Sequence, residues 1–283
     1  MKISKPQFAA FAAAASVLLA VGLPTVAHAD QAEAYKYAVE GRKAAKNKQW
    51  DKAVELFKKA VDADPKQANN HINLGLAYKG AGKLDDAANS FSKAIEVEPN
   101  NLAGYMNRGI VYISQQKYDK AIEDLNHAIK EDKETNVPAH RFRAFAYLQT
   151  KQWQQAIDDY DVVLKQKEND DPILDRRAFA YWNMKQYDKA IADYTKIIKD
   201  NPKDKDAYLH RSYVYELARD YPQGLADVNN VLGMDPNNDE AKNRKARLEY
   251  EINKANATPT PTPRQYRRTM PPEKTPTSQP KKP

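Results

Sequence analysis

The sequence has no cysteine in its 283 residues and only nine glycines. Without cysteine the chain can form neither disulfides nor thiolate metal sites, so its stability must come from packing. Nine glycines leave little material for a glycine-rich phosphate loop, and no two of the five histidines are spaced to hold a metal on a helix. We therefore expect no catalytic, cofactor-binding or metal-binding residues, and no enzymatic activity.

The amino terminus has the three parts of a secretory leader. The basic start "MKISKPQ" is followed by the apolar run "FAAFAAAASVLLAVGL" and by "PTVAHA", which ends in a small-x-small pattern. This order predicts a signal peptide over residues 1–29 that is cleaved after Ala29. The apolar run is short for a membrane span, and no cysteine is available for lipid attachment. We expect a soluble exported protein, periplasmic or secreted; an uncleaved amino-terminal anchor is the alternative.

The positive charge is concentrated at the two ends of the chain. Of the net charge of +7, Lys2 and Lys5 supply two, and residues 255–283 supply five, with six lysines and arginines against Glu273. Residues 30–254 are therefore neutral and carry no electrostatic footprint for nucleic acid. Residues 255–283 are rich in proline and are expected to form a disordered tail. Its "RQYRR" segment could attach to an anionic envelope polymer or a lipid surface, or the tail could only solubilise the protein.

A period of about 34 residues runs through residues 30–254. Pro65 and Pro99 are 34 residues apart, and so are Pro202 and Pro236. Each period holds two apolar-periodic stretches of about a dozen residues, with a polar break between them and a closing turn. This pattern predicts two antiparallel helices per repeat. One extra residue falls in the turn "KEDKETNVP".

The segments "NLGLAY" and "AANSFSKAIEVEP" resemble the tetratricopeptide repeat family in their small-large pattern of Leu-Gly, Tyr, Ala, Phe, Ala and Pro. The resemblance implies an all-α solenoid of about six helix-turn-helix repeats over residues 30–254. Together with the leader, whose "LPTVAHA" suits a bacterial export route, it predicts an exported bacterial protein of this family. The six repeats are expected at residues 34–67, 68–101, 102–135, 137–170, 171–204 and 205–238. Residues 239–254 are expected to form the capping helix that such an array needs at its end.

Arginine recurs at one position of repeats 3 to 6, and aspartate follows it 16 residues later each time. The pairs are Arg108 with Asp124, Arg143 with Asp159, Arg177 with Asp193, and Arg211 with Asp227. Repeats 1 and 2 lack both residues at these positions. Because one buried charge without its partner would be costly, joint presence and joint absence indicate ion pairs between helices. Pairing between adjacent repeats and contact with a ligand are the alternatives.

Aromatic residues open the second helix of most repeats: Trp50, Tyr118, Trp153, Tyr187 and Tyr221. We interpret them as hydrophobic staples over the helix start. In the tetratricopeptide repeat family the first helices line a concave groove. Mapped onto this sequence, the resemblance implies a groove stripe of Ile110, Ile113, Phe145, Leu148, Phe179, Trp182 and Tyr213. An apolar stripe of this extent is typical of an interface, although the side chains could instead pack only between neighbouring first helices.

One subgroup of the family clamps a peptide carboxyl terminus with lysine and asparagine. Asn73 and Asn107 fit that pattern but the lysines are missing, so such a clamp is not expected. Arg141, Arg176 and His210 could still meet an acidic ligand, or be ion-paired or solvated.

These observations predict a non-catalytic scaffold or adaptor of the cell envelope that binds a peptide or partner protein in its groove. The partner could be a second copy of the chain. Two alternatives are an envelope-tethered structural protein bound through its basic tail, and a subunit that presents substrates to a hydrolase or secretion machine.

Overall fold

The computed structural model describes residues 26–130 and 136–257, with side chains from residue 30 onward, and these residues form thirteen α-helices and no strand. The helices are α1 (Val26–Lys46), α2 (Trp50–Ala63), α3 (Ala68–Gly80), α4 (Leu84–Val97), α5 (Leu102–Ser114), α6 (Tyr118–Lys130), α7 (Val137–Gln149), α8 (Trp153–Gln166), α9 (Asp171–Asn183), α10 (Tyr187–Asp200), α11 (Lys205–Leu217), α12 (Tyr221–Met234) and α13 (Asp239–Ala257). None of the described helices combines the length and the apolar character needed to cross a membrane. The fold is all-α, as the sequence predicts.

The chain divides into two compact units, Met1–Val111 and Tyr112–Pro283, and the division falls inside α5. In the first unit α1 packs against α2, α2 against α3, and α3 against α4. In the second unit the helices from α6 to α13 pack each against the next in the same way. Both units are therefore built from a repeated pair of helices.

The turn inside each helix pair contains one residue with positive φ. These residues are Lys48 at 56°, Gly82 at 75°, Gln116 at 59°, Lys151 at 60°, Lys185 at 59° and Arg219 at 63°. The left-handed conformation is costly for every residue except glycine, and only one of the six turns uses glycine. The other five turns hold a strained residue on the surface.

Small residues allow the two helices of a pair to approach closely. In the first unit, a methyl group added to Gly41 or Gly75 would lie 2.7 Å from the ring of Phe57 or Phe91. In the second unit Ala144 and Ala178 are fully buried in the core cluster that also contains Tyr160 and Tyr194. The small-large pattern of the sequence is thus the contact surface of the helix pairs.

The ends of the chain lie outside the described residues. Of the predicted leader, residues 1–25 are not described and residues 26–29 belong to α1. The turn residues 131–135 and the tail from residue 258 are not described either. Helix α13 covers the expected capping segment and buries Ala241 and Leu248 against the core of the last helix pair.

Candidate functional site

Three arginines of the second unit form paired hydrogen bonds with an aspartate of the following helix. The Nε and Nη2 atoms of Arg177 lie 2.9 and 2.6 Å from the two carboxylate oxygens of Asp193. The same two atoms lie 2.8 and 2.6 Å from Asp159 for Arg143, and 2.8 and 2.7 Å from Asp227 for Arg211. These fork-shaped contacts join the two helices of one pair.

Each of these arginines also reaches the second helix of the preceding pair through its Nη1 atom. The acceptors are Asn126 at 2.7 Å for Arg143, Asp161 at 2.6 Å for Arg177 and Thr195 at 2.8 Å for Arg211. In the first unit, Arg108 makes the corresponding contact with Ser92 at 2.9 Å, whereas Asp124 is a buried residue of the second unit. One guanidinium therefore connects three helices, within a pair and between pairs.

Burial and pairing act in opposite directions on these guanidinium groups. Burial alone would lower the pKa of Arg177, but the hydrogen bonds and charges of Asp193 and Asp161 raise it well above its ordinary value. The pKa of Arg143 is raised by Asp159 against the same burial effect. Arg143 and Arg177 are thus fixed as cations, and the contacts of Arg143, Arg177 and Arg211 described above join helices to one another.

Aromatic side chains of the second unit form a continuous row on α9 and α11, with one member from α8. The ring centroids of Phe179 and Trp182 are 5.0 Å apart, and those of Trp182 and Tyr213 are 4.7 Å apart. Trp153, the first residue of α8, joins the row at 5.8 Å from Phe179. All three contacts are edge-to-face, the arrangement that aromatic pairs prefer. We call Trp153, Phe179, Trp182 and Tyr213 the aromatic row.

The residues of the predicted groove stripe differ in exposure. Phe179 is 38% exposed and Leu148 is 8% exposed. Ile113, Phe145, Trp182 and Tyr213 are half-buried, and so is Ile110, which belongs to the first unit. Within the stripe, Phe179, Trp182 and Tyr213 pack on one another and remain partly accessible to solvent.

Part of this face is concave and forms a pocket of about 330 Å³ between α7, α9 and α11. Its lining is Phe145, Leu148, Gln149, Asp175, Arg176, Phe179, Trp182, Tyr194 and His210. Four of these side chains are apolar, and the charged or titratable ones Asp175, Arg176 and His210 lie on α9 and α11. We call it the α7–α9–α11 pocket. Its size suits one large side chain of a ligand rather than a whole domain.

A titratable pair occupies one edge of the α7–α9–α11 pocket. The Nδ1 atom of His210 lies 3.0 Å from Oδ1 of Asp175. This hydrogen bond raises the pKa of His210 above its ordinary value of 6.5, although burial opposes the shift. The ring of Tyr194, which is buried, lies beside His210 at 5.6 Å between centroids. The pocket thus combines apolar walls with a charge that changes near neutral pH.

A larger cavity of about 780 Å³ lies between α6, α7 and α8 and is lined by Asn126, Ile129, Lys130, His140, Arg143, Val162, Lys165 and Gln166. Two of its polar side chains already form structural contacts, because His140 and Arg143 each lie 2.6 Å from Asp159. The α7–α9–α11 pocket is therefore the stronger candidate for a binding site. No cluster of three potential metal ligands occurs in residues 26–130 and 136–257.

Sequence reasoning missed two features of this region. The aromatic residues that open second helices were expected to cover their own helix start, but Trp153 packs on Phe179 of the next pair, and Trp50 packs on Gly80 in the same manner. The acceptors Ser92, Asn126, Asp161 and Thr195 were also missed. A register of 16 or 17 residues before each arginine was the available signal, but four different residue types obscure it.

Comparison with known proteins agrees with this architecture. Models of the tetratricopeptide repeat match residues 72–137 and 172–204. No curated protein matches the chain in sequence. Among solved structures, YrrB, a repeat protein with an unusual peptide-binding site, is similar with a TM-score of 0.63 and 19% identity, over 68% of this chain and 99% of that one.

Two further structures have the same fold. PilF of Pseudomonas aeruginosa is similar with a TM-score of 0.61 and 17% identity, over 77% of this chain and 99% of that one. A tetratricopeptide repeat protein of Parabacteroides merdae reaches 0.60 with 20% identity, over 81% and 94%. The repeated helix pairs, the matched segments and these likenesses agree: the chain contains tetratricopeptide repeats and has the all-α fold of tetratricopeptide repeat proteins.

Proposed function

We propose that this protein is a non-catalytic scaffold that binds a segment of a partner protein at the α7–α9–α11 pocket. The observation that carries this proposal is the half-exposed aromatic face of Phe145, Phe179 and Trp182 around the pocket. Apolar side chains that are clustered, concave and accessible to solvent favour a docking site, whereas scattered ones need no such explanation. The unusual peptide-binding site of YrrB is consistent with this use of the fold.

The ligand class follows from the shape of the site. A pocket of about 330 Å³ admits one or two large side chains, and the aromatic row continues from it toward α13. An extended or helical segment can place one apolar side chain in the pocket and lay others along the row. Preformed aromatic walls lose little entropy on binding, because their rings already hold one another in place.

We further propose that the protein acts in the cell envelope. The leader-like residues 1–29 support export to the periplasm or beyond, and the basic residues 255–283 support an additional contact with an anionic envelope surface. The work of the scaffold would then be to hold a partner protein in the envelope. Salt dependence separates the two contacts, since a tail-driven contact weakens as salt rises while an apolar one persists.

The test is a selection of random dodecapeptides, displayed on phage, against the full-length protein. A variant with Phe145→Ala, Phe179→Ala and Trp182→Ala is compared with a control variant, Tyr35→Ala with Tyr250→Ala, which removes exposed aromatics elsewhere. Circular dichroism verifies folding, and the single change Phe179→Ala serves if the triple variant unfolds. We expect peptides that bind the wild type and the control but not the pocket variant. Equal recovery by all three proteins, or none by the wild type, would reject the proposal.

A further inference from the structure

Two charged positions of the α7–α9–α11 pocket recur in successive repeats, but the charge at one of them differs between repeats. Asp175 and His210 are 35 residues apart and form an ion pair. Arg141 and Arg176 are also 35 residues apart and hold the same two positions one repeat earlier. Where the later repeat has an acid beside a base, the earlier one has two bases. The register thus leaves one positive charge without the partner that its equivalent has.

Arg141 pairs with a different carboxylate, that of Asp170, whereas Arg176 pairs with none. The Nη2 atom of Arg141 lies 2.7 Å from Oδ2 of the buried Asp170. Arg176 is half-buried and lines the pocket, with its guanidinium 5.5 Å from the ring centroid of Phe145. It forms no ion pair with a carboxylate in the described part of the chain. Arg143, Arg177 and Arg211, which are also half-buried, each have a carboxylate within 3.0 Å.

A second unsatisfied group lies next to Arg176. The side chain of Tyr160 is fully buried, and its hydroxyl oxygen has no hydrogen-bond partner. Burial raises the pKa of this phenol, and the positive charge of Arg176 opposes that shift. The neighbours of the guanidinium, a phenol and the ring of Phe145, do not neutralise its charge, which leaves a place for an anionic group.

We propose that the bound segment carries a carboxylate, which pairs with Arg176 at the edge of the α7–α9–α11 pocket. An apolar side chain next to that carboxylate fills the pocket itself. This inference rests on the proposed function and specifies the partner's chemistry. A carboxylate offsets the cost of keeping a guanidinium half-buried, because a paired charge is much less costly to desolvate than an isolated one. The protein's own tail is disfavoured as the occupant, since six of its residues are cationic and only Glu273 is acidic.

The test begins with the dodecapeptides selected on the full-length protein and compares their composition with those selected on Arg176→Gln. Arg219→Gln is the matched control, because it removes the same charge from an exposed turn outside the pocket. We expect an Asp or Glu beside an apolar residue in peptides from the wild type and the control, and no such enrichment with Arg176→Gln. If the pocket selects peptides that lack acidic residues, the inference fails while the proposed function stands.

A double-mutant cycle gives the second readout. One selected peptide is synthesised with its acid and with the corresponding amide, and both are titrated by fluorescence polarisation. We expect either Arg176→Gln or the amide to weaken binding by at least about tenfold, and the two changes together to weaken it no further. Independent effects that multiply would show that the acid binds elsewhere, and would overturn the inference. Failure to select any peptide would reject the proposed function and this inference together.

Discussion

Arg177 donates two hydrogen bonds to Asp193, from Nε to Oδ2 at 2.9 Å and from Nη2 to Oδ1 at 2.6 Å. The side chain of Asp193 is only 7% exposed, so the carboxylate depends on this contact for its solvation. The third bond of Arg177, to Asp161, reaches the preceding helix pair. Loss of Arg177 would therefore remove contacts in two successive repeats.

We expect Arg177→Leu to destabilise the fold more than Phe179→Ala does. The first change leaves the buried charge of Asp193 without a partner, at a cost of about 3–5 kcal/mol. The second removes a ring that is 38% exposed, so its cost is lower than that of a fully buried phenylalanine. Urea unfolding followed by circular dichroism measures both. Adding Asp193→Leu to Arg177→Leu should recover part of the loss, whereas equal or reversed midpoints for the two single variants would contradict the buried-pair account.

The His210–Asp175 pair predicts a pH-dependent contribution to stability. Because the pKa of His210 in the folded protein lies above 6.5, the folded state holds the proton more tightly than the unfolded chain. The stabilisation is complete below pH 6.5 and is lost as the pH rises through the raised pKa. It should not exceed about 1 kcal/mol, since the pair is partly exposed.

The measurement is the unfolding midpoint of the wild type and of Asp175→Asn between pH 5.5 and about 8.5. The difference between them should shrink as the pH rises. Asp206 and Glu240 also raise the pKa of His210, so a small residual slope should persist in Asp175→Asn. A difference that stays constant, or that grows toward alkaline pH, would contradict the assigned role of the histidine.

The strained turn at Lys185 predicts a stabilising substitution. Its φ of 59° is costly for lysine and free for glycine, as in the equivalent turn at Gly82. We expect Lys185→Gly to stabilise the protein by about 0.5–1 kcal/mol. The control is Ala192→Gly, an exposed position inside α10, which should destabilise it by about 1 kcal/mol. Thermal melts of both variants give the two signs, and a loss of stability in Lys185→Gly would show that the turn is not strained.

The close approach at Gly75 predicts the opposite outcome for two glycine-to-alanine changes. An added methyl group at Gly75 would lie 2.7 Å from the Phe91 ring, whereas at Gly233 it would meet nothing within 4 Å. We expect Gly75→Ala to cost about 1–3 kcal/mol through overpacking. Gly233→Ala, in the last turn of α12, should be neutral or stabilising by up to about 1 kcal/mol. Similar melting temperatures for the two variants would argue against the tight helix contact.

Much of the fold can be predicted from the sequence because equivalent positions of the six repeats can be compared with one another. At the repeat positions of Arg177 and Asp193, arginine and aspartate occur together in four repeats and are absent together in two. Such joint variation is informative because one buried charge without its partner destabilises the fold. The second acceptor of each arginine is not accessible in this way. Ser92, Asn126, Asp161 and Thr195 all accept a hydrogen bond, so no single residue type marks the position.

The candidate site was only partly predictable for a related reason. The stripe containing Phe179 and Trp182 follows from family positions, but the lateral contact from Trp153 does not, because its interpretation as a helix staple used only local spacing. The sequence also does not show that Arg141 has a carboxylate partner whereas Arg176 has none. Arg141 turns to Asp170, 29 residues further along, and no periodicity predicts that choice.

The packing of the aromatic row gives the protein an intrinsic optical reporter. Of its three tryptophans, Trp153 and Trp182 both contact Phe179 at the mouth of the pocket, and Trp50 lies in the other unit. In Trp50→Phe, all tryptophan emission would therefore arise within one ring contact of the pocket. Ligand entry, acid titration and local opening could each be followed there without an added dye.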